Sequence, residues 1–211
     1  MFKKFDIKKK ISELCCGKTL DIGFAQSPNY HLANCYGIDI QKVEKPDNYQ
    51  EVKVVDLNSQ PIPYEDNFFD SVVAGEIIEH VANPLKFLAE CNRVLKNEGV
   101  LIITTPNPQY YWEIILNAFT KKFNITDEQH FYSFTRYNMR NLFRRTGFEM
   151  IKDFGNLLII VKIHLKIWVP KYPILSGNII YYGKKVANPK EFITIETTNR
   201  EKYHVSSKIF S

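Results

Sequence analysis

At 211 residues the chain has the length of one domain with room for small additions, and its apolar fraction of 45% is ordinary for a globular protein that folds without disulfides or metal. No apolar run reaches the roughly 20 residues of a membrane span. The net charge of +5 is modest, and neither zinc-finger spacing nor an arginine-rich helix marks a nucleic-acid partner. The opening Met1-Phe2-Lys3-Lys4-Phe5-Asp6 is charged, and Cys15, Cys16, Cys35 and Cys91 show neither CxxC nor zinc-ligand spacing. Free buried thiols, a cytoplasmic location and no metal site are the expectations.

In chain order, residues 5–14 form an amphipathic opening helix. Short apolar runs then predict strands at Thr19–Ile22, Tyr36–Ile40, Val52–Val55, Ser71–Ala74 and Val100–Thr105, with later ones at Glu149–Asp153 and Asn178–Gly183. Asn83-Pro84 supplies a cap and a first-turn proline to a helix whose apolar face is Leu85, Leu88, Cys91, Val94 and Leu95, stopped at Asn97-Glu98-Gly99. Thr135 caps a second helix that turns Met139, Leu142 and Phe143 inward and ends at Gly147. After about Lys184 the pattern weakens, and Ile193–Thr197 is the only later strand candidate. Strands alternating with helices predict an α/β fold with a mostly parallel seven-stranded sheet and flanking helices.

Three acids stand at the ends of three successive strands: Asp21, Asp39 and Asp56. In a parallel sheet they converge on the carboxyl edge, where such folds bind ligands. Asp21-Ile22-Gly23 leads into a loop of small residues that lets backbone approach a ligand, and Asp39 can accept hydrogen bonds from both ribose hydroxyls. A dinucleotide fingerprint needs glycine at 23, 25 and 28, where this chain has Gly23, Ala25 and Pro28. Pro28 lacks an amide hydrogen, so the loop is badly built for pyrophosphate. S-adenosylmethionine has no phosphate and carries positive charge, and it suits carboxylates and close backbone.

Leu20-Asp21-Ile22-Gly23 resembles motif I of class I S-adenosylmethionine-dependent methyltransferases. The stretch from Asp56-Leu57 through Pro61–Asp70 to Gly75-Glu76-Ile77-Ile78-Glu79-His80 resembles their next block. Arg93–Gly99 with Thr105-Pro106-Asn107, and His130–Thr135 with Thr146-Gly147-Phe148-Glu149, resemble those that follow, so the likeness covers about residues 15–155. It implies a Rossmann-like methyltransferase domain over 1–184 with a C-terminal extension over 185–211. It also implies S-adenosyl-L-methionine as donor, with Asp21, Gly23 and Ala25 at its methionine end, Asp39 and Ile40 at the ribose, and Asp56 and Leu57 at the adenine. Ala74 and Glu76 would lie beside the methyl. Ala25 and Ser27 replace the usual glycines, and with Pro28 they predict a reshaped loop and a short or missing helix after it.

The acceptor is less legible. His80 and His130 fall in loops that the resemblance puts over the methyl, where a neutral imidazole could take a hydroxyl proton and Glu128 could orient a ring nitrogen. Tyr110, Tyr111, Trp112, Phe131, Tyr132 and Phe134 crowd the same region and suit a sugar ring or an aromatic acceptor. O-methylation of a glycan or related small molecule is the leading expectation. A quinone-like or other prenylated aromatic is the second, and a binding module that has lost activity is the third. Residues 155–176 read as a lid or an interfacial helix in peripheral contact with a membrane, because Lys162, His164 and Lys166 alternate with Ile163, Leu165 and Ile167 and Trp168 and Tyr172 follow; an inserted core strand or cap helix is the alternative. Oligomeric state is open.

Overall fold

Buried apolar runs bounded by turn residues become strands, and the first of them, β1 (Thr19–Ile22), has all four residues buried. The computed structural model describes residues 6–110, 130–155, 158–160, 165–167 and 176–189. Helix α1 (Ile7–Ser12) precedes β1, with Asp6 accepting the N–H groups of Lys8 and Lys9 at its start. Strands β2 (Cys35–Asp39), β3 (Tyr49–Val54) and β4 (Phe69–Gly75) follow, and then α2 (Pro84–Val94) and β5 (Leu95–Pro106). After them come α3 (Arg136–Arg145), β6 (Phe148–Gly155), the short β7 (Leu158–Ile160) and β8 (Leu165–Ile167), and β9 (Asn178–Lys185).

Seven strands form one sheet in the order β3-β2-β1-β4-β5-β9-β6. Strands β1 to β5 pair in parallel. Strand β9 runs antiparallel to both β5 and β6, so the sheet is mixed with a single reversed strand. The side-chain period of two sorts the core into two faces. Leu20, Val72, Ala74, Leu101 and Ile103 pack on one face with Leu88 and Cys91 of α2 and with Met139 and Phe143 of α3. Val73, Ile102, Phe154 and Ile180 pack on the other with Ile11 of α1.

The helix ends follow the cap chemistry. Asn83 accepts the Lys86 N–H with Pro84 in the first turn, and Thr135 accepts the Asn138 N–H. Gly147, at φ +81°, ends α3 in the left-handed region. Lys185 anchors the end of β9: its buried ammonium donates to the carbonyls of Asn92 and Leu95 at 2.8 and 2.7 Å and to Asn67 Oδ1 at 3.1 Å. A cation there complements the negative end of α2, and burial draws its pKa down.

Several boundaries move. Strand β2 ends at Asp39 and leaves Ile40 exposed beyond it, β3 begins at Tyr49 instead of Val52, and α1 is shorter than 5–14. Among the described residues no helix joins β1 to β2, as Pro28 foretold. Of the alternatives for residues 155–176, strand and not helix is found where they can be compared: Leu158–Ile160 and Leu165–Ile167 pair as an antiparallel two-stranded sheet. Alternation with a period of two is a strand pattern, and it prevails over the amphipathic reading. The rest of that segment, Tyr111, Trp112, Glu128 and the Ile193–Thr197 candidate lie outside the described residues. No helix among the described residues is long and apolar enough to cross a membrane. Cys35 and Cys91 are buried free thiols, Cys15 is half-buried and Cys16 is exposed.

Candidate functional site

A cavity of about 180 Å³ opens at the carboxyl edge of β1, β2 and β4. Gly23, Asp39, Asp56 and His80 supply its polar rim, and Ile22, Ile38, Val55, Leu57, Ile77 and Val81 its apolar walls. An acid for hydroxyls, flat apolar walls and close backbone fit a nucleoside. The volume is below the roughly 300–1,000 Å³ of a complete small-molecule pocket, so the cavity has room for only part of a drug-sized ligand. Gly23 has φ +78°, and a Cβ there would meet Ile77 Cδ1 at 2.2 Å. Only glycine keeps both the turn and the neighbouring wall.

Asp39 organises the loop. Its Oδ2 accepts the Ala25 N–H at 2.9 Å and its Oδ1 accepts the Gln41 N–H at 2.8 Å. Each oxygen keeps a second acceptor site for a ligand hydroxyl. Asp56 holds its own turn, accepting from Asn58 N–H at 3.0 Å and Ser59 Oγ at 2.9 Å. Ala25, Ser27 and Pro28 form a tight turn, with Ser27 N–H on Phe24 O at 3.0 Å and Lys8 Nζ on Pro28 O at 2.9 Å.

Asp21 has a different environment. Strand alternation turns it away from Leu20 and Ile22, and it is 6% exposed. The Tyr49 hydroxyl donates to its Oδ2 at 2.5 Å and in turn accepts the Asn29 N–H at 3.1 Å. Burial pushes the Asp21 carboxyl up to about 6, while the Tyr49 bond pulls it down. A raised carboxyl pKa favours the folded state fully below the unfolded value of 3.8, and this advantage is lost as pH rises through about 6. Asp21→Asn should therefore raise the melting temperature at pH 7.5, and the gain should fade below pH 4. Parallel melts at the two pH values check this, and an equal shift at both would refute the ionisation cost.

The second half of the site lies where β4 ends. Glu76 sits at φ +56°, unusual for a residue with a side chain. It is held by its N–H on Thr104 O at 2.9 Å, by Thr104 Oγ1 on its Oε1 at 2.6 Å and by Asn178 Nδ2 on its Oε2 at 2.7 Å. Glu79 is 1% exposed. Its Oε2 accepts from Thr105 Oγ1 at 3.1 Å, whereas its Oε1 has no hydrogen-bond partner. Burial, reinforced by Glu76, pushes its carboxyl up to about 7. His130 arrives from far along the chain: Phe131 N–H donates to Glu79 O at 2.9 Å and the Tyr132 hydroxyl to Ala82 O at 3.0 Å. The rings of His80 and His130 meet edge to face with centroids 4.6 Å apart.

Of the residues expected from the sequence, Gly23, Asp39, Ile40, Asp56, Leu57 and His80 line the cavity. Asp21, Ala25, Ala74, Glu76 and His130 do not line it. Ala25 acts through its N–H on Asp39, Ala74 is buried in β4, and His130 borders the site through His80. The reading missed Asn58, Ile77, Val81 and the buried Glu79. Of the aromatic group, Tyr110 and Phe134 are buried, and Phe131 and Tyr132 are exposed. A groove of about 610 Å³ runs between α2 and α3, lined by Asn83, Leu85, Tyr132, Asn138, Asn141 and Arg145 among others; neither histidine lines it, and it shares no residue with the cavity. A larger hollow of about 700 Å³, lined by Glu51, Tyr64 and Arg93 among others, shares no residue with the cavity.

Residues 13–103 match a family model described as a methyltransferase domain. A segment of 59 residues is 39% identical to a protein of Mycobacterium tuberculosis named a probable S-adenosylmethionine-dependent methyltransferase, covering 28% of this chain and 22% of that protein. The chain therefore spans well under two thirds of that relative's length. An uncharacterized protein of Methanocaldococcus jannaschii is 31% identical over 93% of this chain and 82% of its own length. The demethylmenaquinone methyltransferase of Staphylococcus saprophyticus is 26% identical over 72% of this chain and 76% of its own. Among solved structures, a SAM-dependent methyltransferase from Thermotoga maritima superposes with a TM-score of 0.66 at 17% identity, covering 84% of this chain and 87% of that one.

Proposed function

Because residues 13–103 match a methyltransferase domain, we propose that the chain is an S-adenosylmethionine-dependent methyltransferase that O-methylates a hydroxyl of a glycan or related small molecule. The donor supplies an electrophilic methyl whose transfer removes the sulfonium charge. Asp39 receives the ribose hydroxyls, and Gly23 gives the backbone approach. The apolar walls around Leu57 and Val81 enclose the adenine.

With little new charge to neutralise at the donor, the protein's tasks are alignment, exclusion of water and removal of the acceptor proton. The observation that carries the acceptor reading is the groove between α2 and α3, whose lining residues Ala82 and Tyr132 stand two positions along the chain from His80 and His130. Its three asparagines, Arg145 and the tyrosine hydroxyl offer hydrogen bonds to a polyhydroxylated ligand, and Tyr132 and Leu85 offer it flat apolar surface. The acceptor oxygen then reaches the methyl at Glu79, His80 and His130, where its proton leaves.

His130→Ala should lower turnover about 100-fold, within the 10²–10⁴-fold range that assistance to proton removal contributes. Donor affinity should stay within about 2-fold, since His130 is outside the nucleoside cavity. Single-turnover kinetics and calorimetry with S-adenosylmethionine check the two halves, and full turnover in the variant overturns the assignment. A quinone-like or prenylated aromatic acceptor is the second reading, favoured by the staphylococcal relative and by the exposed Phe131. A labelled-donor screen against glycosides and prenylated phenols separates them. A chain that binds no donor would instead be a binding module.

A further inference from the structure

We propose that Glu79, His80 and His130 form a binding site for a divalent transition-metal cation on the acceptor side of the donor cavity. One carboxylate oxygen and one nitrogen from each ring lie within 4.8 Å of one another. Ligand atoms sharing a tetrahedral cation at about 2.0–2.2 Å stand roughly 3.4 Å apart. The set is therefore the open form of a ligand cluster, closed by small side-chain rotations. Two imidazoles and one carboxylate are a donor set that zinc, iron and manganese accept, with positions left for water or substrate.

Three features mark it as a built site. Glu79 is 1% exposed and one of its oxygens has no partner, an arrangement that is costly unless a proton or a cation compensates it. Its other oxygen is fixed by Thr105, an outer contact of the kind that orients metal ligands. The third ligand is carried in by backbone pairing, because Phe131 N–H on Glu79 O sets His130 beside His80. Glu76 adds negative charge nearby without being free to ligate, since both its oxygens are already engaged.

The role of the cation rests on the methyltransferase reading. An acceptor hydroxyl binding the open position loses its proton to water, and the resulting alkoxide attacks the methyl. The oxygen–carbon bond forms as the carbon–sulfur bond breaks, and that electron pair stays on sulfur in neutral S-adenosylhomocysteine. His80, shared with the nucleoside cavity, sets the distance between the two halves of the site.

The test uses the full chain stripped with chelator and titrated calorimetrically with Zn²⁺, Mn²⁺ and Mg²⁺, then with Co²⁺ followed by visible absorption. One equivalent of Zn²⁺ or Mn²⁺ should bind, more tightly than Mg²⁺, and the Co²⁺ band should show nitrogen ligation. Glu79→Gln and His130→Asn should each weaken binding by 100-fold or more, with S-adenosylmethionine affinity preserved. No saturable binding of any of these ions in the wild type, or binding unchanged in both variants, overturns the proposal. Cation binding in a chain that fails to bind donor would retain the site and refute the methyltransferase role. Donor binding without cation binding would do the reverse.

Discussion

Replacing Asp39 with alanine is expected to weaken S-adenosylmethionine binding roughly 10- to 100-fold. A charge-assisted hydrogen bond contributes about 1.5–3 kcal/mol, and each 1.4 kcal/mol is a factor of ten. Asp39 does two things at once, because the oxygens available to ribose also accept the Ala25 and Gln41 N–H groups. Alanine removes the ligand contact and unties the loop that carries Gly23. Asp39→Asn should fall between alanine and wild type, since its amide keeps one acceptor but turns a donor toward one of the two N–H groups. Asp56→Ala should have a smaller effect, because its carboxylate is committed to its own turn and adenine is also held by packing. Calorimetric titration of the four proteins with donor decides the order. Unchanged affinity in Asp39→Ala would remove the ribose assignment.

The largest stability loss is expected for Gly147→Ala, at a position distant from the donor cavity. Gly147 has φ +81°, and a Cβ would stand 2.1 Å from Ala187 O and 2.8 Å from Asn92 Nδ2. The left-handed conformation costs a residue with a side chain about 1–2 kcal/mol, and overpacking adds about 1–3 kcal/mol. The neighbour is backbone, already fixed by Asn92 Nδ2 donating to Ala187 O at 3.0 Å and by Ala187 N–H on Gly147 O at 3.2 Å. It cannot swing aside as a flexible side chain would. For a domain of this size the sum lowers the melting temperature by roughly 10 °C. Thermal melts followed by circular dichroism measure it, and a loss below about 2 °C would show that the Ala187 turn yields freely.

The parts of this structure legible in the sequence are those with a local cause. Asn83-Pro84 and Thr135 announce their helices because a cap bonds within three residues. Pro28 announces the missing helix after β1 because a proline has no N–H to donate within a helix. That Asp39 and Asp56 line one cavity was readable because strand ends converge in a parallel sheet whatever the partner strands are. Asp21 shows the limit of that argument. It too ends a strand, but its direction depends on Tyr49 from β3, and that contact leaves no mark in the residues around it. Glu79 was hidden for a similar reason. It sits inside a recognisable Glu-Ile-Ile-Glu-His run, yet its burial and its closeness to His130 arise from a segment 50 positions away. Leu158–Ile160 and Leu165–Ile167 were open between helix and strand because apolar and basic residues mixed at short range fit either an interfacial helix or a strand pair, and only the pairing partner decides.

The position of β9 between β5 and β6 governs the order in which the molecule can be assembled. Strand β6 leaves the ribosome before β9, but among the described residues its only partner in the sheet is β9. Until Asn178–Lys185 has been made, β5 has an open edge and β6 has nowhere to bind. All residues lining the donor cavity, from Ile22 to Val81, are by then already present in a parallel sheet that can form without them. Synthesis therefore passes through an interval in which the ligand-binding half is built and an apolar hydrogen-bonding edge is bare, the condition that invites pairing between chains. Lys185, at the end of the closing strand, terminates that interval by inserting its ammonium among the carbonyls behind α2.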